Sequence, residues 1–387
     1  MGARLRVLHV ISGLGTGGAE RSLAEMLPLL SDAGVTSSIV CLAEKPKGVH
    51  AQVVQAGFPV TVVGTSRLAA PVRIRRTISE WKPDIVHTTI FDADVLGRIA
   101  SVARPCKLVT SLVNTTYDGV RIADSGVNRT KLAAAKAVDR FTALRFTDHF
   151  HAISDAVKDS AVTHLGIAPD RVTVVERGRD LGRLGNPSPE RRKAVRRALG
   201  LPLDAEVVLN VGRQEPQKGQ SDLLDAVAKL ATARPRLVML QVGREGKASR
   251  DLHRIATNSG LAPRTRFLGH RDDVGDLLAA ADVFAFPSIY EGLGGSVLEA
   301  MAMRVPIVVT DVPALVDVVE AGRGATVVPV CDPSALAQAI GDLLDHPEEA
   351  ALLAEQARQI FFNRFTLERS VNGMVELYHN VAAGGMR

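Results

Sequence analysis

The feature that most constrains this chain is a rhythm that runs through it twice: short continuous runs of Val, Ile and Leu alternate with stretches of helical periodicity. In the first half the apolar runs are "RVLHVIS" (6–12), "VTSSIVCLA" (35–43), "PVTVVG" (59–64), "DIVHTT" (84–89) and "KLVTSLV" (107–113), and a helix is predicted from Ala19 to about Asp32. A strand buried on both faces reads as a continuous apolar run, and successive strands separated by helices pair in parallel. The pattern restarts with "EVVLNVG" (206–212), a helix near 219–232, "RLVMLQVG" (236–243), "RTRFLG" (264–269), "DVFAFPS" (282–288), "PIVVTD" (306–311) and "ATVVPV" (325–330). A chain of 387 residues has room for two domains of ordinary size. The expected fold class is therefore α/β, with two Rossmann-like, doubly wound parallel-sheet domains.

Between the two runs lies a stretch dense in Gly, Pro and charge, "ERGRDLGRLGNPSPERRKAVRRALGLPLDAE" (176–206), which reads as a linker followed by the first outer helix of a second domain. The expected boundaries are 1–180 and 181–364, with 365–387 as a closing helical segment. The basic run Arg191–Arg197 is read as a solvated helix face. A net charge of +5 and 4% aromatic residues give no reason to expect nucleic acid as a partner. One predicted first-domain helix carries Arg73, Arg75, Arg76 and Trp81, a set suited to peripheral contact with an anionic membrane or to an ordinary crossover helix.

Three dispersed cysteines fit neither a disulfide framework nor a zinc site, so a reducing, cytoplasmic setting is expected. Gly13 and Gly15 break the first apolar run early, which marks it as a strand rather than a secretory signal. No run reaches the ~18–20 apolar residues that span a bilayer.

In doubly wound folds ligands bind beyond the carboxyl ends of the strands, and three motifs fall there. The first is "SGLGTGGAER" (12–21), which satisfies G-x-G-x-x-G with Gly13, Gly15 and Gly18. A dinucleotide site also needs an acidic residue at the end of the second strand, where this chain has "VTSSIV". What stands without it is a glycine loop and helix N-terminus able to approach a phosphate. The second is "VGRQEPQKG" (211–219), whose Arg213 and Lys218 can both reach a diphosphate; the alternative is that Arg213 pairs with Glu215 and Lys218 is solvated.

The third is "FPSIYEGLGGSVLEAMA" (286–302), with Glu291 in a glycine-rich loop and Glu299 in the helix that follows. Glu299 could simply complement the helix dipole. Glu291 has the position of a hydroxyl acceptor. A retaining hydrolase would hold two carboxyls about 5 Å apart across one bond, and a metal would need His or Asp ligands nearby, so a metal site is not expected.

Together these elements resemble the family 4 retaining glycosyltransferases, whose GT-B fold sets two Rossmann-like domains facing each other across a cleft. The likeness covers essentially the whole chain, from "GGAER" (17–21) through "KPDIVH" (82–87), "HAISDAVK" (151–158), "VGRQEPQKG", "FLGHRDDV" (267–274) and the E-x7-E pair Glu291/Glu299 to "FTLERSVNGMVELYHNV" (365–381), a helix that in this fold crosses back onto the first domain. The resemblance implies that Arg213 and Lys218 neutralise a donor diphosphate, Glu299 holds ribose hydroxyls and Glu291 touches the transferred sugar. It implies backbone donors at Gly294, Gly295, Ser296 and Val297, donor contacts at Gly243 and Arg244, and closure by Gly15, Thr16, Gly17 and Gly18 from the other domain. His87 and Arg177 fall on the acceptor side.

The sequence departs from the family pattern where His87-Thr88-Thr89 replaces a frequent His-x-His, which leaves a core role as the alternative for His87, and where Arg177-Gly178-Arg179-Asp180 replaces Asn-Gly-Val-Asp. The activity implied is cofactor-free, metal-independent transfer of a sugar from a nucleotide diphosphate such as a UDP- or GDP-sugar, with retention, onto a glycan, glycolipid or small-molecule acceptor. The alternatives are a nucleotide-sugar epimerase or a pyridoxal-dependent phosphorylase of the same fold, an NAD-dependent oxidoreductase, and an inactive binding module.

Overall fold

The computed structural model describes residues 4–45, 47–118 and 128–384. The chain divides into two compact units, one from Met1–Arg179 with Leu367–Arg387 and the other from Asp180–Thr366.

The first unit is built on seven strands, β1 (Leu5–Ile11), β2 (Val35–Cys41), β3 (Val60–Val62), β4 (Ile85–Thr89), β5 (Lys107–Leu112), β6 (His149–Ala152) and β7 (Val172–Val174), ordered β3-β2-β1-β4-β5-β6-β7. The second has six, β8 (Glu206–Val211), β9 (Leu237–Val242), β10 (Thr265–Gly269), β11 (Val283–Phe286), β12 (Ile307–Thr310) and β13 (Thr326–Val328), ordered β10-β9-β8-β11-β12-β13. All pairings are parallel. The winding reverses between β1 and β4 in one unit and between β8 and β11 in the other, and at each reversal the loops leaving adjacent strands part and open a crevice.

The apolar runs form the sheet interiors. In the second unit Val208, Met239, Val283 and Val308 pack under Leu223, Leu224 and Val227 of the helix Gln220–Ala231. In the first unit Leu5, Val7, Ile85 and Val109 are covered by Val371, Met374, Leu377 and Tyr378 of the last helix, Leu367–Ala382. Each such buried side chain contributes ~1.5–3 kcal/mol.

Two strands, β6 and β7, lack a sequence expectation. They are only four and three residues long, and "HFHA" carries two histidines in place of branched apolar residues. The polar rings are accommodated because neighbours bond them: His149 Nε2 meets Thr173 Oγ1 at 2.8 Å and His151 Nε2 donates to the Val175 carbonyl at 2.9 Å.

The linker helix, Pro189–Ala198, is capped by Ser188, whose hydroxyl accepts from the Arg191 amide at 3.1 Å. The expectation of a solvated basic face fails for three of its four arginines, since Arg192 also donates to the Ala281 carbonyl at 2.6 Å and pairs with Asp282. Arg196 is buried and donates to the carbonyls of Ala280, Leu203 and Ala205 and to Asp282, while Arg191 pairs with Asp276 at 2.8 Å. Guanidiniums here satisfy carbonyls at element ends that would otherwise be orphaned.

On the first-unit helix Ala69–Trp81, Arg73 donates to the Val63 carbonyl at 2.6 Å, Arg75 to that of Val102 at 2.8 Å, and Arg76 pairs with Glu80 at 2.6 Å. Trp81 lies under the Arg6 guanidinium, 4.5 Å from the ring centroid. No described helix is long and apolar enough to cross a membrane.

Candidate functional site

At the reversal of the second sheet, β8 runs through Gly212 and Arg213 into a short turn, Pro216–Lys218, and then the helix Gln220–Ala231. Gly219 has φ 59° and stands where a Cβ would collide with the Pro287 carbonyl; Gly243, at φ 138°, stands likewise against the Gly212 carbonyl. The loops after β8, β9 and β11 are thus pressed backbone to backbone.

A buried amide network, unforeseen from the sequence, fixes them. Asn210 Nδ2 donates to the Ala285 carbonyl at 2.7 Å; Gln241 Nε2 and Gln220 Nε2 donate to Asn210 Oδ1 at 3.0 and 3.2 Å; and Gln220 Nε2 reaches the carbonyls of Gly212 and Arg213 at 3.2 Å each. Its sequence signal is a lone amide in each of two apolar strands, "VVLNV" and "LVMLQV".

Arg213 is exposed and its guanidinium has no hydrogen-bond or ion-pair partner among the described residues, so it does not pair with the Glu215 carboxylate. Arg244, after β9, is also exposed. Lys218 is neither solvated nor free: its ammonium donates to Glu291 Oε1, 5.0 Å from the centroid of the Phe286 ring. Ser288 donates to the same oxygen at 2.9 Å, and the Ser288 carbonyl accepts from Thr310 Oγ1 at 2.5 Å. Glu291 is buried, 8% exposed.

The helix Gly295–Ala302 begins after Gly294, which has φ 84° and no side chain to cap it. Glu299 is its fifth residue, 4% exposed, and Oε1 accepts from Arg183 Nη2 at 2.9 Å. It is therefore not a cap. Arg183 sits in the linker turn Leu181–Leu184, where nothing in its residue type or spacing announces a partner for Glu299. Ser296 Oγ donates to the Val211 carbonyl at 2.9 Å, tying this helix to the end of β8. One expected donor drops out: the Val297 amide already donates to the Gly294 carbonyl at 2.8 Å, and its side chain is fully buried.

In the first unit, Gly15, Thr16 and Gly17 form the loop after β1 and Gly18 opens the helix Gly18–Asp32. The Glu20 carboxylate of that helix leans over Gly17, and Thr16 Oγ1 is buried without a hydrogen-bond partner among the described residues.

His87, on β4, is buried beside His9 and within reach of His151 across β5. Its tautomer follows from its neighbours. His151 Nε2 donates to a carbonyl, so its Nδ1 accepts from Ser111 Oγ at 2.9 Å; Ser111 Oγ accepts from His87 Nε2 at 2.7 Å; and His87 Nδ1 accepts from Tyr378 at 2.6 Å. Burial, with His9, His151 and Arg177 nearby, holds the His87 pKa well below the ordinary histidine value. Both ring nitrogens are committed, so His87 is a core residue of the first unit rather than a base facing a ligand. Arg177 is half-buried, and burial together with Arg179 brings it down to about 10.

The second unit thus gathers Arg213, Lys218, Gly243, Arg244, Glu291, Gly294–Ser296 and Glu299 at the carboxyl ends of adjacent strands. Among the described residues it offers two guanidiniums without a side-chain partner, those of Arg213 and Arg244, with one ammonium held by a carboxylate and two buried carboxylates, a set matched to an anionic ligand that also carries hydroxyls.

Residues 16–183 match the Glycosyltransferase Family 4 model and residues 191–360 the glycosyl transferases group 1 model. A D-inositol 3-phosphate glycosyltransferase of Geodermatophilus obscurus is 30% identical over 364 residues, covering 89% of this chain and 78% of that protein. The chain belongs to the family 4 glycosyltransferases. A second D-inositol 3-phosphate glycosyltransferase, from Catenulispora acidiphila, is 31% identical over 71% of this chain and 65% of its own length. The crystal structure of Anabaena HepE in complex with UDP and glucose superposes on this glycosyltransferase with a TM-score of 0.85 at 25% identity, covering 97% of this chain and all of HepE. The fold is GT-B. The epimerase alternative finds no support in these relatives.

Proposed function

We propose that this glycosyltransferase moves a sugar from a nucleoside diphosphate, UDP foremost, onto an acceptor hydroxyl with retention of configuration. The observation that carries the reading is the Lys218–Glu291 pair beside the unpartnered Arg213 at the reversal of the second sheet. An ammonium has three N–H donors, so Lys218 can keep Glu291 and still meet a diphosphate, while Arg213 supplies a forked contact. Glu291 would accept hydroxyls of the transferred sugar, and Glu299, oriented by Arg183, those of the ribose. The bond from the anomeric carbon to the diphosphate oxygen breaks, the acceptor oxygen bonds to that carbon on the same face, and the departing diphosphate takes the acceptor proton. The protein's contribution is positioning and charge stabilisation. The structure of HepE with UDP and glucose supports this choice of base.

A thermal-shift panel of UDP, GDP, ADP, TDP and NAD tests it, since a ligand at 100 times its Kd stabilises by ~2.7 kcal/mol. UDP should shift the melt most; a shift with NAD alone would overturn the reading. Arg213 and Lys218 take the place at the diphosphate that a divalent ion would fill, so transfer should survive EDTA, and loss of turnover restored by Mn²⁺ would refute that part.

Peripheral membrane contact is a second reading, favoured by Leu68 and Val72, 88% and 67% exposed beside Arg67 and Arg76. Flotation with anionic vesicles should carry wild type, and carry less of a Leu68→Ser/Val72→Ser variant; no flotation of wild type would remove this reading.

A further inference from the structure

Gln220 opens the helix Gln220–Ala231, two residues after Lys218, and is 2% exposed. Its side chain turns back along the loop: Nε2 lies 3.2 Å from the carbonyl oxygens of Gly212 and Arg213 and 3.2 Å from Asn210 Oδ1. Three acceptors around one nitrogen identify it as the amino group, which settles the orientation of the amide. Asn210 Oδ1 has a second donor in Gln241 Nε2 at 3.0 Å, and the Arg213 carbonyl has one in the Glu215 amide at 2.8 Å. The bonds from Gln220 are what join this loop to the helix start behind it.

The other end of the amide is left over. Gln220 Oε1 is buried and has no hydrogen-bond partner among the described residues. A buried acceptor without a donor is unfavourable, and an apolar side chain at a buried helix start would avoid it. Core packing therefore does not account for the amide, whereas the two carbonyls it reaches do. One of them belongs to Arg213, whose exposed guanidinium meets no partner among the described residues. No contact at its far end sets its direction, so its aim comes from where its backbone is held. A guanidinium forks onto phosphate oxygens only from a narrow range of directions.

We infer that Gln220 is a positioning residue: by holding the Gly212 and Arg213 carbonyls it aims the Arg213 guanidinium at the donor diphosphate. The inference rests on the reading of Arg213 as a diphosphate contact and adds the group that orients it. Lys218 is held separately, because its ammonium meets Glu291. Loss of Gln220 should therefore be felt through Arg213 and not through Lys218.

Calorimetric titration with UDP of wild type, Gln220→Met, Gln220→Asn, Arg213→Ala and the Gln220→Met/Arg213→Ala double variant tests it. Methionine matches glutamine in length and has no donor. Gln220→Met should raise the Kd for UDP ~10-fold, the size of one charged hydrogen bond, but by less than ~2-fold where Arg213 is already alanine. Gln220→Asn keeps an amide that is one methylene too short for the carbonyls, and should weaken UDP in the same direction. A side chain that only fills the core would lower the melting temperature and leave the Kd of the folded protein unchanged. Unchanged Kd in Gln220→Met, an equal loss with and without Arg213, full affinity in Gln220→Asn, or failure of both single Gln220 variants to fold would each overturn the inference. UDP binding that depends on Arg213 and not on Gln220 removes the inference alone. No UDP binding by wild type, or full UDP affinity in Arg213→Ala, removes the donor reading on which it rests.

Discussion

Lys218 and Glu291 are 73 residues apart in sequence and joined by a direct, mostly buried hydrogen bond between ammonium and carboxylate. The two residues that a motif reading assigns to different parts of a donor, one to phosphate and one to sugar, are a single charged unit in the protein itself. Removing either strands the other, which makes their energies non-additive. In a double-mutant cycle of Lys218→Ala and Glu291→Ala, followed by denaturant unfolding, the coupling should be ~1.5–3 kcal/mol. Additive effects within a few tenths of a kcal/mol would mean the pair does not persist in solution.

The same pair gives a kinetic expectation. A sugar leaving its diphosphate flattens and gains positive charge, so a hydroxyl contact to Glu291 strengthens toward the transition state. Glu291→Ala should lower kcat by ~10- to 100-fold while UDP still binds, since the Lys218 ammonium it frees remains available to the diphosphate. Full kcat in that variant would remove Glu291 from the reacting sugar.

Glu299 differs because ribose does not move during transfer. Glu299→Ala should raise donor KM with little change in kcat. Arg183→Ala should raise KM in the same direction by a smaller factor, since it leaves the carboxylate in place but free to turn. A kcat defect in Arg183→Ala with KM unchanged would contradict its role in orienting Glu299.

Much of this was legible in the sequence, and what was not has physical causes. Val- and Ile-rich runs declare strands buried on both faces, so the two sheets could be foreseen; β6 and β7 could not, because they are short and "HFHA" needs Thr173 and the Val175 carbonyl to become a strand. Glycine spacing marked the loops around Arg213 and Glu291. It could not reveal that Lys218 pairs with Glu291, that Arg183 holds Glu299, or that the Val297 amide is spent on Gly294, because each depends on contacts that only the folded backbone brings together. The amides Asn210, Gln220 and Gln241 were visible as polar residues within or beside apolar strands, and only their mutual distances show that they clamp the loop.

The directional chain from Tyr378 through His87 and Ser111 to His151 predicts a specific tautomer. ¹⁵N NMR should find His87 neutral, with its proton on Nε2, at neutral pH. Tyr378→Phe removes one donor to a buried nitrogen and should cost ~1–3 kcal/mol of stability, leaving UDP binding intact. Loss of UDP binding with unchanged stability would show that this network serves the ligand rather than the core.

The buried imidazoles and Asp94 act on stability in opposite directions as pH changes. Burial lowers His9 and His151 to about 4 and holds His87 well below the ordinary value; His149 is lowered too, by burial and by Arg171. Unfolded, each titrates near 6.5. Below 6.5 the unfolded chain therefore binds the extra protons, and the stability these groups contribute is present above that pH and lost as pH falls toward 4. Asp94 runs the other way: its folded pKa of about 7 lies above the unfolded 3.8, so near pH 5 the folded chain holds one proton more. Taking His9, His87 and His151 against Asp94 leaves about two protons in favour of the unfolded state, a loss of roughly 2–3 kcal/mol per pH unit near pH 5. Denaturant unfolding between pH 4.5 and 6.5 reads this slope. Asp94→Asn removes the opposing proton, so the slope should steepen by about 1.4 kcal/mol per pH unit; an unchanged or shallower slope in that variant would show that Asp94 is ionised in the folded protein at pH 5.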